Sequence, residues 1–170
     1  MIKGEAREAD QVQFTDEEQA EIDQFIMKNG SNVQAVDQYG RTLLHWAAVA
    51  GHVEFAQCLV SKGADVNAQD DSGVASLHWA VAEGHVEFVK FLISKGANVN
   101  IPTDSGRIPL HWVARGGDIE LVQFLISEGA DVDAKDDSGK MPLDLARKAG
   151  NTEVVEYLKS IGAQSGNELP

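Results

Sequence analysis

Three histidines, His45, His78 and His111, recur at intervals of thirty-three residues, each inside an "LHW" triplet, so that Trp46, Trp79 and Trp112 recur with them. Imidazoles in register suggest a metal site or acid–base work, a column of indoles suggests an aromatic ligand stripe, and Cys58, the sole cysteine, suggests a nucleophile. A fixed period, however, places each residue type at the same point of successive structural units. Neighbouring helices pack about 8–10 Å apart, whereas imidazoles sharing a zinc ion each place a nitrogen about 2 Å from it. Equivalent histidines of successive units therefore cannot converge on one ion. Leu145 fills the tryptophan position of the last unit, so the indoles are expected to pack between helices, with partial exposure because Trp is seldom fully buried. Cys58 shares its column with Phe25, Phe91, Phe124 and Tyr157. It is expected to be a small core residue, with no histidine–aspartate pair placed to activate it.

Other chemistry finds no support in the sequence. There is no "GxxxxGK[ST]", "GxSxG" or "HExxH" pattern and no cysteine pair. The "DDSG" stretches lack the alternating oxygen ligands and terminal glutamate of a calcium loop. No catalytic residue, cofactor or metal is expected, and the chain reads as a non-enzyme. The net charge of −13 over 170 residues argues against nucleic acid, whose affinity rests on clustered Lys and Arg. A basic partner is easier to accommodate. No apolar run approaches the roughly 18–20 residues of a membrane span, and "MIKGEAREADQVQF" lacks a signal-peptide apolar region. With one cysteine, no internal disulfide forms. A cytoplasmic setting, or a nuclear one, is expected.

The elements that position these residues follow from the repeat. The chain divides after Gly40, Gly73, Gly106 and Gly139 into "RTLLHWAAVAGHVEFAQCLVSKGADVNAQDDSG", "VASLHWAVAEGHVEFVKFLISKGANVNIPTDSG", "RIPLHWVARGGDIELVQFLISEGADVDAKDDSG" and "KMPLDLARKAGNTEVVEYLKSIGAQSGNELP". Each unit has a short apolar-periodic stretch, a glycine and a longer periodic stretch, and in the first unit "ADVNAQDDSG" then supplies Asn, Asp and Gly for a turn. Two antiparallel helices and a hairpin loop result. His52 and His85 open the second helices, and Asp118 and Asn151, which are capping residue types, take their place later.

The period, the "GADVNAQDDSG" loop, and "TLLH", "ASLH" and "IPLH" where "TPLH" is common make residues 37–163 resemble an ankyrin-repeat protein. The chain departs from that pattern in having Thr only at Thr42, Pro only at Pro109 and Pro142, Asp144 in place of the histidine, and Thr103 in place of the Asp that begins the turn. The resemblance implies an all-α fold, an ankyrin-repeat solenoid of antiparallel helix pairs with β-hairpin-like loops. It also implies that His45, His78 and His111 bind the start of the first helix to adjoining loops.

The expected organisation is a flexible acidic tail at 1–13 and a single ankyrin-repeat domain at 14–163, followed by a tail at 164–170. Within the domain, a cap at 14–36 precedes full repeats at 37–69, 70–102 and 103–135 and a capping repeat at 136–163. In the cap, Ile22, Phe25 and Ile26 match Phe55, Cys58 and Leu59, and Thr15 with Glu18 forms a capping box. Arg147 and Lys159 interrupt columns that are otherwise apolar, as the outer face of a terminal repeat requires. The array therefore reads as complete.

The resemblance also implies a binding module whose concave face consists of loop tips and the exposed side of the first helices. Carried over residue by residue, the tips are Gln38, Tyr39 and Arg41; Asp71, Ser72 and Val74; Asp104, Ser105 and Arg107; and Asp137, Ser138 and Lys140. The first helices contribute Val49, Ala50, Ala82, Glu83, Arg115, Gly116, Lys148 and Ala149. The expected function is that of an adaptor, scaffold or inhibitor, monomeric, binding an unidentified protein of basic or mixed-charge surface. The alternative is a structural or regulatory subunit held by the acidic cap, at Glu17, Glu18 and Glu21, or by the convex second-helix face. Leu59 and Leu92 precede Asn67 and Asn100 by eight residues, a spacing similar to sites of asparaginyl hydroxylation in such repeats.

Overall fold

Two leucine columns run through the chain at the repeat period: Leu44, Leu77, Leu110 and Leu143, and Leu59, Leu92, Leu125 and Leu158. All are buried. Helices of seven to nine residues do not persist alone in water, so their stability comes from burying these columns against neighbours. The computed structural model describes residues 32–166. By compactness the chain divides into two units, Met1–Ala97 and Asn98–Pro170.

In the first unit the helices are α1 (Leu43–Ala50), α2 (Val53–Ser61), α3 (Ser76–Ala82) and α4 (Val86–Ser94). Helix α1 packs on α2 and α3, and α3 packs on α4. Phe88, the largest fully buried side chain, sits edge-on to Phe91 with ring centroids 6.3 Å apart. Gly51 ends α1 with a φ of +69°, and a Cβ there would meet the His85 ring at 2.9 Å, so both backbone and space demand glycine. Isolated antiparallel bridges, Val36 with Thr42 and Gln69 with Ala75, make the hairpin-like loops. The Asp71 N–H donates to the Tyr39 carbonyl at 3.0 Å and so joins one hairpin tip to the next.

The second unit repeats the pattern with α5 (Pro109–Gly116), α6 (Ile119–Ser127), α7 (Pro142–Ala149) and α8 (Thr152–Ser160). Pro109 and Pro142 occupy first helical positions, where a missing N–H costs nothing. Here the Asp137 N–H donates to the Ser105 carbonyl at 3.0 Å. Among the described residues no helix is long and apolar enough to cross a membrane.

The expected cap, its Thr15–Glu18 capping box and the tail at 1–13 lie outside the described residues. Part of the expected C-terminal tail is anchored to the last two repeats. The Gln164 N–H donates to Asp133 Oδ1 at 2.7 Å, the Ser165 hydroxyl to Asp144 Oδ1 at 2.6 Å and the Gly166 N–H to Asp144 Oδ2 at 2.9 Å. A side chain at Gly166 would collide with the Gly139 carbonyl.

Candidate partner-binding surface

The loop tips are shaped by aspartates at the start of each turn. Asp37 Oδ1 accepts the N–H groups of Tyr39 and Arg41, Asp70 Oδ1 those of Ser72 and Val74, and Asp136 Oδ1 those of Ser138 and Lys140, at 2.8–3.0 Å. Where Thr103 stands instead, its hydroxyl accepts the Arg107 N–H at 3.2 Å, and the Arg107 guanidinium reaches forward to Asp136 at 3.1 Å. Burial raises the pKa of Asp136, but the Lys140 N–H, the Arg107 guanidinium and the Ser138 N–H outweigh it and hold the carboxyl below its ordinary range.

The histidines prove structural. His45 Nδ1 accepts the Thr42 N–H at 3.0 Å, and its Nε2 lies 2.9 Å from the Val74 carbonyl. Because Nδ1 accepts a hydrogen bond from the backbone N–H, Nε2 carries the ring hydrogen and donates a hydrogen bond to the Val74 carbonyl. In the second unit His111 does the same with the Ile108 N–H at 3.2 Å and the Lys140 carbonyl at 3.1 Å. The ring thus caps its own helix from the N3 position and fastens the following loop. Burial depresses the pKa of both His45 and His111, with the Val74 and Lys140 carbonyls opposing. In the last repeat Asp144 accepts the Met141 N–H at 2.9 Å and holds the Ser165–Gly166 segment in place of a further loop. His78 Nδ1 likewise accepts the Ala75 N–H at 3.1 Å.

At the second-helix starts, the expectation of capping holds for Asp118, whose Oδ1 accepts the Leu121 N–H at 3.1 Å. His85 and Asn151 act differently. His85 Nε2 binds the Val49 carbonyl at 3.0 Å, and Asn151 Nδ2 donates to the Ala114 and Arg115 carbonyls at 2.9 and 2.7 Å. They satisfy carbonyls at the C-terminal end of the preceding repeat's first helix, which its own backbone leaves unpaired. Asn67 and Asn100, in one register, donate through Nδ2 to the Gly96 and Gly129 carbonyls at 3.1 and 2.9 Å.

Several expected contact residues are committed to the fold. Val49 and Val74, expected on the partner face, are buried at 8% exposure, because each apolar side chain lies in the layer that its neighbours close. Arg41 pairs with Asp37 at 2.8 Å, and its guanidinium lies 4.8 Å from the Tyr39 ring centre and 4.1 Å from that of Trp46. Trp46 is buried, as Leu145 is, whereas Trp79 and Trp112 are half-buried. What remains exposed in the first unit is Gln38, Asp71 and Ser72, with Tyr39 and Glu83 half-exposed. In the second unit Asp104, Ser105, Asp137, Ser138 and Lys148 are exposed, with Arg107, Arg115 and Lys140 half-exposed.

Cys58 corrects another expectation, because its side chain is exposed and not in the core. Its column lies at the edge of the buried face, where Phe91, Phe124 and Tyr157 are only half-buried and a short side chain covers little. A thiol reagent should titrate one thiol per native chain at nearly the rate seen in urea. Protection until unfolding would refute this placement.

Helix pairs joined by hairpin tips, with His45 and His111 each fastening the following loop of its own unit, define an all-α repeat protein. The profile described as "Ankyrin repeats (3 copies)" matches residues 14–103 and 77–167, and the chain belongs to the ankyrin-repeat family. Members of this family are generally protein–protein interaction modules. A comparison with curated protein sequences returned no match. Among the described residues no group of three or more His, Cys, Asp or Glu side chains is placed to hold a metal ion.

Proposed function

We propose that this protein is a non-enzymatic adaptor, scaffold or inhibitor that recognises a protein of basic or mixed-charge surface through its loop tips and the exposed side of its first helices. The observation that supports this reading is a division of labour between equivalent positions. The two leucine columns and His45, His78 and His111, which recur at the repeat period, are buried. Among the positions that vary, Gln38, Asp71, Asp104 and Asp137 are all exposed, and where Val49 is buried, Ala82 and Arg115 are half-exposed and Lys148 is exposed. The exposed acids at the tips favour a cationic partner surface and raise its rate of encounter. A monomer in the cytoplasm or nucleus suits this role.

The test places a photo-crosslinking amino acid at Ser72, Ser105 or Ser138 on the tips, and at Gln57, Lys90 or Gln123 on the outer side of the second helices. All six are exposed. A partner captured from the tips, and lost when Asp71, Asp104 and Asp137 are each changed to Lys, is the expected result. Capture from the second helices alone, or loss only on substitution of Glu17, Glu18 and Glu21, would sink the proposal in favour of an assembly subunit.

A further inference from the structure

The second helices of the first unit leave a groove between them. Gln57, Val60 and Ser61 of α2 and Phe91 and Ser94 of α4, with Lys95 directly after it, line a volume of about 310 Å³, which lies at the lower end of the range for ligand pockets. Its apolar lining is Val60 and Phe91, both half-buried, and Phe88 meets the Phe91 ring edge-on. The hydroxyls of Ser61 and Ser94 donate to the Cys58 and Phe91 carbonyls of their own helices at 2.8 and 2.7 Å, so neither has a hydrogen left for a ligand. Lys95 supplies the charge. It is exposed and forms no ion pair among the described residues, and its Nζ lies 6.0 Å from the Phe91 ring centre, at the outer limit of cation–π attraction.

Lys62, also exposed, ends α2 as Lys95 ends α4. Helices in contact, as these two are, lie about 8–10 Å apart, so the groove has a cationic end. Lysine suits a helix C-terminus, but Glu128 and Ile161 hold the same register in the second unit. The stack therefore does not require a cation there. Towards the other end Lys90 pairs with Glu87 at 3.3 Å, and Glu54 stands in the first turn of α2, so that end is not cationic. We propose that this groove is a second docking face, which receives an acidic and apolar segment of a protein: an apolar side chain enters between Val60 and Phe91, and carboxylates beside it pair with Lys95 and Lys62. The net charge of −13 opposes an acidic ligand at long range, but charges beyond about 8 Å are largely screened at physiological ionic strength. The nearby lysines decide the sign. The loop tips favour a cationic surface and this groove an acidic one, so the inference does not rest on recognition at the tips.

The probe is the peptide acetyl-Asp-Asp-Leu-Phe-Asp-Asp-amide, with Lys in place of Asp in one control and Ser-Ser in place of Leu-Phe in another. The backbone amide resonances of residues 60, 91 and 95 are followed in wild type, Lys95→Glu and Val60→Ser. Both variants should fold, because the array already carries Glu128 and the polar Lys159 at these registers. The expected result is a saturable shift of the three signals by the acidic apolar peptide alone, with affinity about tenfold lower in Lys95→Glu and about threefold lower in Val60→Ser. Equal shifts with either control, affinity unchanged in Lys95→Glu, or no shift at millimolar peptide would each overturn the assignment. Combined Asp71→Lys, Asp104→Lys and Asp137→Lys substitution should leave the peptide bound. Loss of the peptide in that variant would place it at the tips and overturn the groove, whereas loss of partner capture there with the peptide retained leaves the groove standing.

Discussion

Replacing His45 by Ala should destabilise the protein by about 3 kcal/mol, whereas His52→Ala should change stability by less than about 0.5 kcal/mol. His45 is 1% exposed and bridges the Thr42 N–H to the Val74 carbonyl. Its removal leaves a donor and an acceptor inside the protein without partners and opens a cavity the size of an imidazole. His52 is exposed, and its side chain makes no capping bond to its helix. Urea unfolding followed by circular dichroism measures both. A loss below about 1 kcal/mol for His45→Ala would show that the ring nitrogens do not carry the loop.

Acid should weaken the fold in two stages. For His45 and His111 the folded pKa lies below the ordinary histidine value of about 6.5. Their contribution is complete above that pH and is lost as pH falls below it, because the unfolded chain then binds protons that the buried rings refuse. Each ring contributes a slope of at most about 1.4 kcal/mol per pH unit within this window. Asp136 and Asp144 have folded pKa values below their ordinary range. What they contribute is intact above about pH 4 and disappears as pH falls further, through protonation of the groups that hold Arg107 and the Ser165–Gly166 segment. Urea midpoints between pH 7.5 and 3 should therefore fall first from about pH 6.5 and again below about pH 4. Replacing His111 by Gln should reduce the first slope. Constant stability from pH 7 to pH 5 would contradict the assigned tautomer and the burial argument together.

The sequence was most legible where one physical demand was repeated. A side chain needed in every unit leaves a column, so the helix pairs and the hairpin tips are legible from spacing. The role of His85 and Asn151 was harder to see. Both stand where a helix begins, and only the fold shows that they reach back about thirty-six residues to the carbonyls of the preceding first helix. Their common register was the available signal, and it suggested capping as readily as bridging. Cys58 belongs to an aromatic column, yet its side chain is exposed, because membership of a column does not imply burial. The column sits at the margin of the core, where exposure depends on side-chain length.

Glu83 marks the limit of reading by column. Its departure from Ala50, Gly116 and Ala149 was visible in the letters, but that its Oε1 is shielded from solvent with no hydrogen-bond donor among the described residues was not. The chain by itself determined the repeat, the leucine columns that bury it, and the identity of the variable positions, because each of these is a local periodicity. Tertiary structure alone decided which variable residues stay exposed. Arg41 and Arg107 are drawn into ion pairs with Asp37 and Asp136, Val49 and Val74 are covered, and the tip acids remain in solvent. Such outcomes depend on which atoms of distant repeats come within hydrogen-bonding range, and spacing along the chain does not encode that distance.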